Sequence, residues 1–432
     1  MKRIAKIPPG RLIAAGFGIV IIIGSILLIL PVSHSGQTGI TYLDALFTSV
    51  SCVCVTGLTT VETGVAYSGF GQAVILILIQ IGGLGITTLG AGLAVIFGLR
   101  LDRRNSALVK EALNYQTWSG IMPLIRSVII LDLSIELIGA VLYFVSFIQK
   151  FSFGKALWYS VFHAVSAFNN AGFDVLGNGN SFGAYTSDIY MNVVTCILII
   201  TGGLGFFVIR EILTHRRGER FSLHTKVVLS VTGVLLLSGA VLVKITEGSS
   251  ISLLGAVFAS VTARTAGFAT YPLSGFSNAG LLVMCVLMFI GASPGSTGGG
   301  MKTTTVFALV KSLVSNSTGR EARTFGKKIP DSLMHKATLI VTLGFGWALL
   351  AAILISAFEP GAMLRDVVFE TISALGTVGL STGITPTLSV ASRVVIILTM
   401  YLGRLGPLTI ATLWTPSKSQ GLSRPEEAFP IG

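Results

Sequence analysis

Four short segments of the chain each carry a glycine at a point where backbone carbonyl oxygens could bind a cation. Each segment follows an apolar run too short to cross a bilayer. The first run, Leu43–Val53, has 11 residues, which rise about 16 Å as a helix, whereas the hydrocarbon core is about 30 Å thick. The chain is therefore expected to turn back near the middle of the membrane. The four segments are Val55-Thr56-Gly57, Asn170-Ala171-Gly172, Thr265-Ala266-Gly267 and Thr377-Val378-Gly379.

Turns of this kind are tolerated at membrane depth only where protein buries them or where they line a water-filled cavity. If the four turns meet on one axis, their carbonyl oxygens can replace the hydration shell of an ion. The preceding half-helices would direct their partly negative C-terminal ends to the same point. Glycine permits the strained backbone angles that this requires. Four unrelated helix-breaking glycines are the alternative, but the recurrence of the whole context favours a cation-binding ring.

A second glycine-rich stretch interrupts the apolar segment after the third copy. Ser277–Ile290 is apolar for only 14 residues, which is too short to span the membrane. Of the next ten residues, five are glycine and one is proline, so a stable helix cannot continue. We expect an unwound loop just inside the ring, with a plain structural kink as the alternative. The loop is Gly291, Ala292, Ser293, Pro294, Gly295, Ser296, Thr297, Gly298, Gly299 and Gly300.

This stretch also comes close to a phosphate-binding loop of the GxxxxGK[ST] type. Met301, however, moves Lys302 one residue too far along the chain. No buried strand precedes the stretch either, as such a loop requires. Nucleotide binding by this segment is therefore disfavoured.

Charged residues inside apolar segments are few, and such residues usually have a function. Arg404 lies in a glycine-rich segment of the last repeat, and extension of its side chain to the membrane surface is one interpretation of its position. Asp132 and Glu136 are four residues apart and so share one helix face. Lys302 and Arg404 are their candidate partners in a structural ion pair, and a sodium or proton site is the alternative.

Two further polar residues lie within the half-length runs. Glu370, in the fourth run, could stabilise the turn from behind or add negative potential near it. His163, in the second run, is expected to be a hydrogen-bonded packing residue rather than a titrating functional group.

Composition places the chain in the membrane. Its 432 residues are 52% hydrophobic and only 11% charged, with a mean hydropathy of +0.82, whereas soluble domains have about 25% charged residues. The basic N-terminal residues precede an apolar run that lacks a small-residue cleavage site, so we expect a retained first helix rather than a signal peptide.

The net charge of +12 does not indicate nucleic-acid binding, because 21 of the 30 Lys and Arg residues cluster in alternate loops and in the tail. That distribution is the positive-inside pattern, and it predicts that both termini are cytoplasmic. The four cysteines show neither a disulfide framework nor metal-ligand spacing. No nucleophile is accompanied by a base, so an enzyme or lipid-handling protein is disfavoured.

These elements form four repeats of helix, half-helix, turn and helix. The sequence thus predicts an all-α polytopic membrane protein with eight spanning helices and four re-entrant pore helices around one pore. The repeats are 1–99 (helix 12–31, pore loop 41–60, helix 67–99), 100–214 (pore loop 155–176), 215–315 (pore loop 251–270, unwound loop 291–300) and 316–415 (pore loop 362–382), before a cytoplasmic tail, 416–432. The second helices of the second and fourth repeats are expected at 188–213 and 392–414.

With these four segments and their spacing, nearly the whole chain resembles the Ktr/Trk/HKT superfamily of potassium transport proteins, most closely the KtrB-type membrane subunit. The resemblance implies four helix–pore loop–helix units around a potassium-selective pore. In that family, a glycine in the first filter segment favours potassium and a serine accompanies sodium transport, so Gly57 implies potassium. The loop 291–300 would be an intramembrane gate, with Lys302 beside it and Arg404 projecting into the pore below the filter.

The resemblance also implies partners and a location. We expect a homodimer in the plasma membrane of a bacterium, in contact with membrane lipid and resting on a cytoplasmic KtrA-type ring. That ring would bind ATP or ADP and move the gate. Potassium uptake, with possible dependence on sodium, is the expected function, and a sodium or mixed-cation symporter is the alternative. No nucleic-acid partner and no cofactor in this chain are expected.

Overall fold

The computed structural model describes residues 9–37, 39–85, 121–177, 181–215 and 219–406. These residues are mostly helical, with one two-stranded hairpin. The predictions for residues 86–120, for the end of the last helix at 407–414 and for the tail 416–432 lie outside the described residues. The helices are α1 Pro9–Ile29, α2 Tyr42–Val53, α3 Thr63–Ala66, α4 Gly69–Leu84, α5 Ile121–Phe147, α6 Phe153–Phe168, α7 Ile189–Leu204, α8 Phe206–Thr214, α9 Leu223–Glu247, α10 Leu253–Thr262, α11 Asn278–Phe289, α12 Thr303–Thr318, α13 Asp331–Phe358, α14 Leu364–Gly376 and α15 Val390–Leu405.

Four helices of the described chain are by themselves long and apolar enough to cross a membrane. They are α1, α5, α9 and α13, with 21 to 28 residues each. In the most apolar stretch of each of these helices, about a third of the residues or fewer are buried inside the protein. Leu137 on α5 and Leu237 on α9, for example, are 67% and 73% exposed. Such faces suit contact with lipid, which supports the assignment of the chain to a membrane.

A second set of helices is short and buried. It consists of α2, α6, α10 and α14, with 10 to 16 residues each. Thr41 begins α2 with a capping box in which its hydroxyl accepts a hydrogen bond from the Asp44 amide, and Ser252 caps α10 through the Gly255 amide. Each helix then runs directly into one of the four glycine segments, as the sequence predicts.

The third set, α4, α7, α11 and α15, corrects a sequence prediction. These helices have 12 to 16 residues. α4, α7 and α15 end earlier than expected, whereas α11 ends at Phe289, just before the predicted unwound loop. Gly85, Gly205 and Gly406 follow α4, α7 and α15 with φ values of 80°, 94° and 85°, which only glycine adopts readily. The expected continuous helix 188–213 is in fact broken at Gly205, where α7 and α8 are bent by 100°.

Within the described residues, the second and third repeats both have a break after the second helix, and the break in the third repeat is the longer one. After α11 the chain forms a loop from Ile290 to Lys302 before α12 begins. A parallel bridge between Ile290 and Met301 closes the base of this loop. α12 then leads into a hairpin of β1 Arg323–Thr324 and β2 Lys327–Lys328, which pair antiparallel.

Candidate ion-binding site

The four glycine segments meet in a closed ring. In each segment the glycine Cα lies against the carbonyl oxygen of the residue that precedes the glycine of the next segment. A methyl group built on Gly57 would approach that oxygen to 2.5 Å, so only glycine fits. The contacts run in order around the ring and return to the start: Gly57 with Ala171, Gly172 with Ala266, Gly267 with Val378, and Gly379 with Thr56.

The backbone conformation repeats as closely as the contacts do. Every ring glycine has a positive φ, and so does the residue two positions before it. Three of those preceding residues are β-branched, for which a positive φ is a true outlier that surrounding structure must enforce. They are Val55 (55°), Asn170 (58°), Thr265 (70°) and Thr377 (50°).

Buried hydroxyl groups brace all four segments, and the sequence analysis did not identify them. The amide N–H groups of Gly57 and Gly379 donate to Ser51 Oγ and Ser373 Oγ at 3.0 and 3.1 Å. In the other two segments the hydroxyl donates instead to the carbonyl after the glycine, from Ser166 to Phe173 and from Thr262 to Phe268, each at 2.7 Å. A hydroxyl residue five or six positions before each glycine was the available signal.

A cavity of about 640 Å³ lies on one side of the ring. All four ring glycines line it, together with the acidic residues Glu62 and Asp174. Negative charge in such a vestibule raises the local concentration of cations.

The predicted gate loop lies against the opposite side of the ring. Side chains added at Gly298 or Gly299 would collide with the hydroxyl groups of Thr265 and Thr377. A methyl group on Gly300 would lie 2.9 Å from the carbonyl oxygen of Gly376. The loop therefore occupies the space directly next to the ring.

Hydrogen bonds fix the loop to the break between α7 and α8. The Thr297 hydroxyl lies 3.1 Å from the carbonyl oxygen of Phe168 and 3.2 Å from that of Gly202. The amide of Ser293 donates to Gly203 O at 3.0 Å, and the amide of Phe206 donates to Gly295 O at 2.8 Å. These bonds satisfy polar backbone groups that would be costly to leave unpaired in this environment.

Two cationic side chains hold the loop from the other side. The Arg404 guanidinium donates to the carbonyl oxygens of Thr297 and Gly82, and it lies 3.4 Å from that of Gly83. These last two carbonyls are at the C-terminal end of α4, where helical carbonyls lack partners and attract positive charge. Lys302 Nζ donates to Gly298 O at 2.7 Å. Arg404 thus connects the loop to the end of α4 in the first repeat.

The expected ion pairs of Asp132 and Glu136 with Lys302 or Arg404 are wrong. In the described chain, Gln80 Nε2 donates to Asp132 Oδ2 at 2.5 Å, and Asn169 Nδ2 donates to Glu136 Oε1 at 2.7 Å. The two cations bind loop carbonyls instead, as described above.

Glu370 lies behind the fourth glycine segment. It accepts hydrogen bonds from the Ser381 hydroxyl, from the Thr382 amide at 3.2 Å and from the Thr385 hydroxyl at 2.9 Å. These contacts place it as a brace for the chain that leaves the ring. His163 Nδ1 lies 2.7 Å from the Tyr159 carbonyl, and its ring packs among aromatic side chains, which agrees with a packing role.

Comparison with known proteins decides the family. The model of a family described as TrkH, cation transport protein, matches residues 13–421. The chain belongs to the TrkH family of cation transport proteins. Its similarity to individual members extends over almost the whole length. It is 39% identical to the potassium/sodium uptake protein NtpJ of Enterococcus hirae, covering 100% of this chain and 99% of that one.

Other TrkH-family proteins are also similar. The chain is 36% identical to Ktr system potassium uptake protein B of Bacillus subtilis, covering 98% of this chain and 96% of the relative. The crystal structure of the potassium transporter TrkH from Vibrio parahaemolyticus superposes with a TM-score of 0.74 at 19% identity, over 94% of this chain and 84% of that one. At that identity the structural likeness supports the helical fold alone. The named relatives are uptake proteins and not enzymes.

Proposed function

We propose that this protein takes up potassium ions across the cell membrane through the ring of four glycine segments. The observation that carries the proposal is the closed order of contacts, in which each glycine abuts a carbonyl of the next segment. A ring with four equivalent backbone segments offers a dehydrated cation carbonyl oxygens from every side. The relatives named for potassium uptake support potassium as the ion.

In this proposal the described helices form four pseudo-symmetric repeats. α2, α6, α10 and α14 are the re-entrant pore helices. The first spanning helix of each repeat is α1, α5, α9 or α13. The second span of each repeat begins with one of the shorter helices, α4, α7, α11 or α15, which gives eight spans in all. The acidic cavity faces the outside and the unwound loop faces the cytoplasm, with both termini cytoplasmic. The clustered basic residues support that orientation.

The loop 291–300 acts as the gate. Its position against Thr265 and Thr377 obstructs the path of an ion, and its five glycines give it the freedom to move. The bonds from Arg404 and Lys302 hold it closed. Shortening the loop is expected to raise flux, because less chain then remains in the path, whereas equal or lower flux would favour a structural kink.

Control of the gate comes from a partner. The Ktr name of several relatives supports a membrane subunit that works with a separate regulatory subunit. We propose a homodimer of this chain on a cytoplasmic nucleotide-binding ring of the KtrA kind, in which ATP or ADP sets the state of the gate. Co-expression with candidate soluble partners, followed by purification, tests whether such a complex forms.

Sodium or mixed-cation symport is the second candidate, and the potassium/sodium name of one relative favours keeping it. Uptake of potassium and of sodium by a bacterium that lacks its own potassium uptake systems separates the two. The proposal predicts growth at low potassium with little sodium uptake. Sodium uptake equal to or above potassium uptake would overturn it.

A further inference from the structure

A polar cluster lies behind the second pore helix, where α4, α5 and the end of α6 meet. Asp132 and Glu136, one turn apart on α5, are 0% and 6% exposed. Each accepts a hydrogen bond from one amide side chain, Asp132 from Gln80 and Glu136 from Asn169. Asn169 Nδ2 also lies 3.2 Å from Gln80 Oε1. The four side chains therefore form one connected group.

The cluster is short of hydrogen-bond donors and of positive charge. Two carboxylates and two amides present six side-chain oxygens, but the amides supply only four N–H groups. Asp132 Oδ1 and Asn169 Oδ1 are buried and have no hydrogen-bond partner among the described residues. In the described chain, no Lys, Arg or His side chain forms an ion pair with either carboxylate. Two buried carboxylates without a counter-charge are strongly unfavourable.

The open oxygens belong to one region. Asp132 is bonded to Gln80, and Asn169 Oδ1 packs against Gly83, three residues further along α4. Residues three apart on a helix share a face. The unpartnered carboxylate and amide oxygens therefore lie along the same side of α4.

The cluster lies where the first and second repeats meet, and the equivalent junction between the second and third repeats has different residues. Arg264 precedes Thr265 as Asn169 precedes Asn170. No carboxylate lines the small cavity beside Arg264, which is otherwise apolar. Its lining residues Ile200, Gly203 and Leu236 correspond to Gln80, Gly83 and Glu136. The carboxylate pair is therefore not repeated at this second junction and is not a requirement of the fold.

We propose that the cluster of Gln80, Asp132, Glu136 and Asn169 binds one sodium ion that is retained and not conducted. Carboxylate and amide oxygens are suitable ligands for a small hard cation. One sodium ion offsets one of the two negative charges of Asp132 and Glu136. The side-chain N–H groups of Gln80 and Asn169 donate to the carboxylate oxygens that do not bind the ion. The site lies behind a pore helix and not on the axis of the ring, so it is distinct from the proposed potassium path.

The ion would also stabilise part of the filter. Asn169 caps the C-terminus of α6, with its amide bonded to Val165 O. It directly precedes Asn170, one of the residues held at a positive φ. Fixing the Asn169 side chain therefore restrains the second filter segment. The filter assignment is not needed for this proposal, because binding is measured directly.

Binding of radioactive sodium to the purified full-length protein, in a large excess of potassium, tests the site. The wild type is expected to retain about one sodium ion per chain. Asp132→Asn and Glu136→Gln are expected to lose it, and Gln80→Leu is expected to weaken it about tenfold or more. Glu370→Gln is the matched control, because it removes a buried carboxylate that already has three donors, and it is expected to retain the ion.

Sodium retention by Asp132→Asn, or no retention by the wild type, would overturn the proposal. Absence of sodium from the wild type would mean that a shared proton, and not a sodium ion, neutralises Asp132 and Glu136. Size-exclusion profiles identify any variant that does not fold, and the wild-type measurement decides the matter by itself. Rubidium uptake into vesicles reports on the pore separately. Failed uptake with sodium still bound would count against the proposed function and not against this site.

Discussion

The ring of four glycine segments is regular, whereas the layer next to it is not. This adjacent layer consists of the C-terminal ends of α4, α7, α11 and α15 together with the loop 291–300. In the ring, four segments share positive φ values at the same two positions, a glycine against a carbonyl, and a bracing hydroxyl. In the adjacent layer the repeats differ. Three second helices end at a glycine with a positive φ, Gly85, Gly205 or Gly406, whereas the second helix of the third repeat leads into a loop from Ile290 to Lys302.

Under the proposed function, the two layers have separate tasks. An ion on the axis of a ring is surrounded by equivalent groups, so a change in one segment distorts the whole site. A gate needs only one element that moves, and asymmetry allows that element to be held by specific bonds such as those of Arg404. We therefore expect substitutions in the ring to alter ion preference and substitutions next to the loop to alter flux.

The largest effect is expected for Gly57→Ser. A serine must adopt a φ of 94° and place its Cβ 2.5 Å from Ala171 O, so two ring segments must move. Discrimination between potassium and sodium should fall about tenfold or more, equivalent to about 1.4 kcal/mol, in competitive uptake measurements. Gly36→Ser is the control, since Gly36 has a φ of 81° but no neighbour within 4 Å. Unchanged apparent affinities for both ions would refute the filter assignment.

Arg404→Ala tests the asymmetric layer. The substitution removes the bonds that connect the loop at Thr297 to the end of α4 at Gly82. Rubidium flux into proteoliposomes should rise severalfold while ion preference stays the same. Arg365→Ala, which removes an exposed arginine paired with Asp366, is the control. Flux no higher than that of the wild type would count against the gate.

A smaller loss of preference is expected for Ser51→Ala. The Gly57 amide loses its acceptor, which costs about 1 kcal/mol in a buried site, so discrimination should fall severalfold. Ser373→Ala removes the matching bond to Gly379 and should have a similar effect. Ser238→Ala, whose hydroxyl bonds only within its own helix, should have none. If Ser51→Ala and Ser373→Ala differed widely, the ring would not behave as a symmetric unit.

The smallest effect is expected at Glu359, which follows the last residue of α13. Hydrogen bonds from Ser389 hold the pKa of Glu359 below its usual value of 4.5. The ionised carboxylate therefore stabilises the fold above that pH, and the contribution is lost as the pH falls through the lowered pKa. Glu359→Gln keeps an acceptor oxygen, so the melting temperature should fall by only about 1 °C at pH 7. The difference should vanish in acid, and a difference that grew there would contradict the assignment.

The sequence was informative where a local pattern had a local consequence. A half-length apolar run before each glycine predicted the four short helices and their turns. The glycine-rich composition of 291–300 likewise predicted the loss of helix after Phe289. Both follow from helix length and from backbone sterics, which neighbouring residues determine.

Long-range partners could not be predicted in the same way. The helix break at Gly205 was missed because glycine is frequent in membrane helices and need not interrupt them. The partners of Asp132 and Glu136 were predicted wrongly because they were chosen for opposite charge, without knowledge of where each side chain lies in the fold. Lys302 and Arg404 donate to backbone carbonyl oxygens of the loop and of the last turn of α4. These oxygens are available because the helix ends there and the loop is not helical. Such partners depend on the assembled fold.

One crossed measurement tests the division between the two layers most directly. Potassium and sodium fluxes are measured in the same proteoliposome assay for the wild type, Gly57→Ser and Arg404→Ala. We predict that Gly57→Ser lowers the ratio of potassium to sodium flux without raising total flux, and that Arg404→Ala raises total flux without changing the ratio. A changed ratio for Arg404→Ala together with an unchanged ratio for Gly57→Ser would contradict the account.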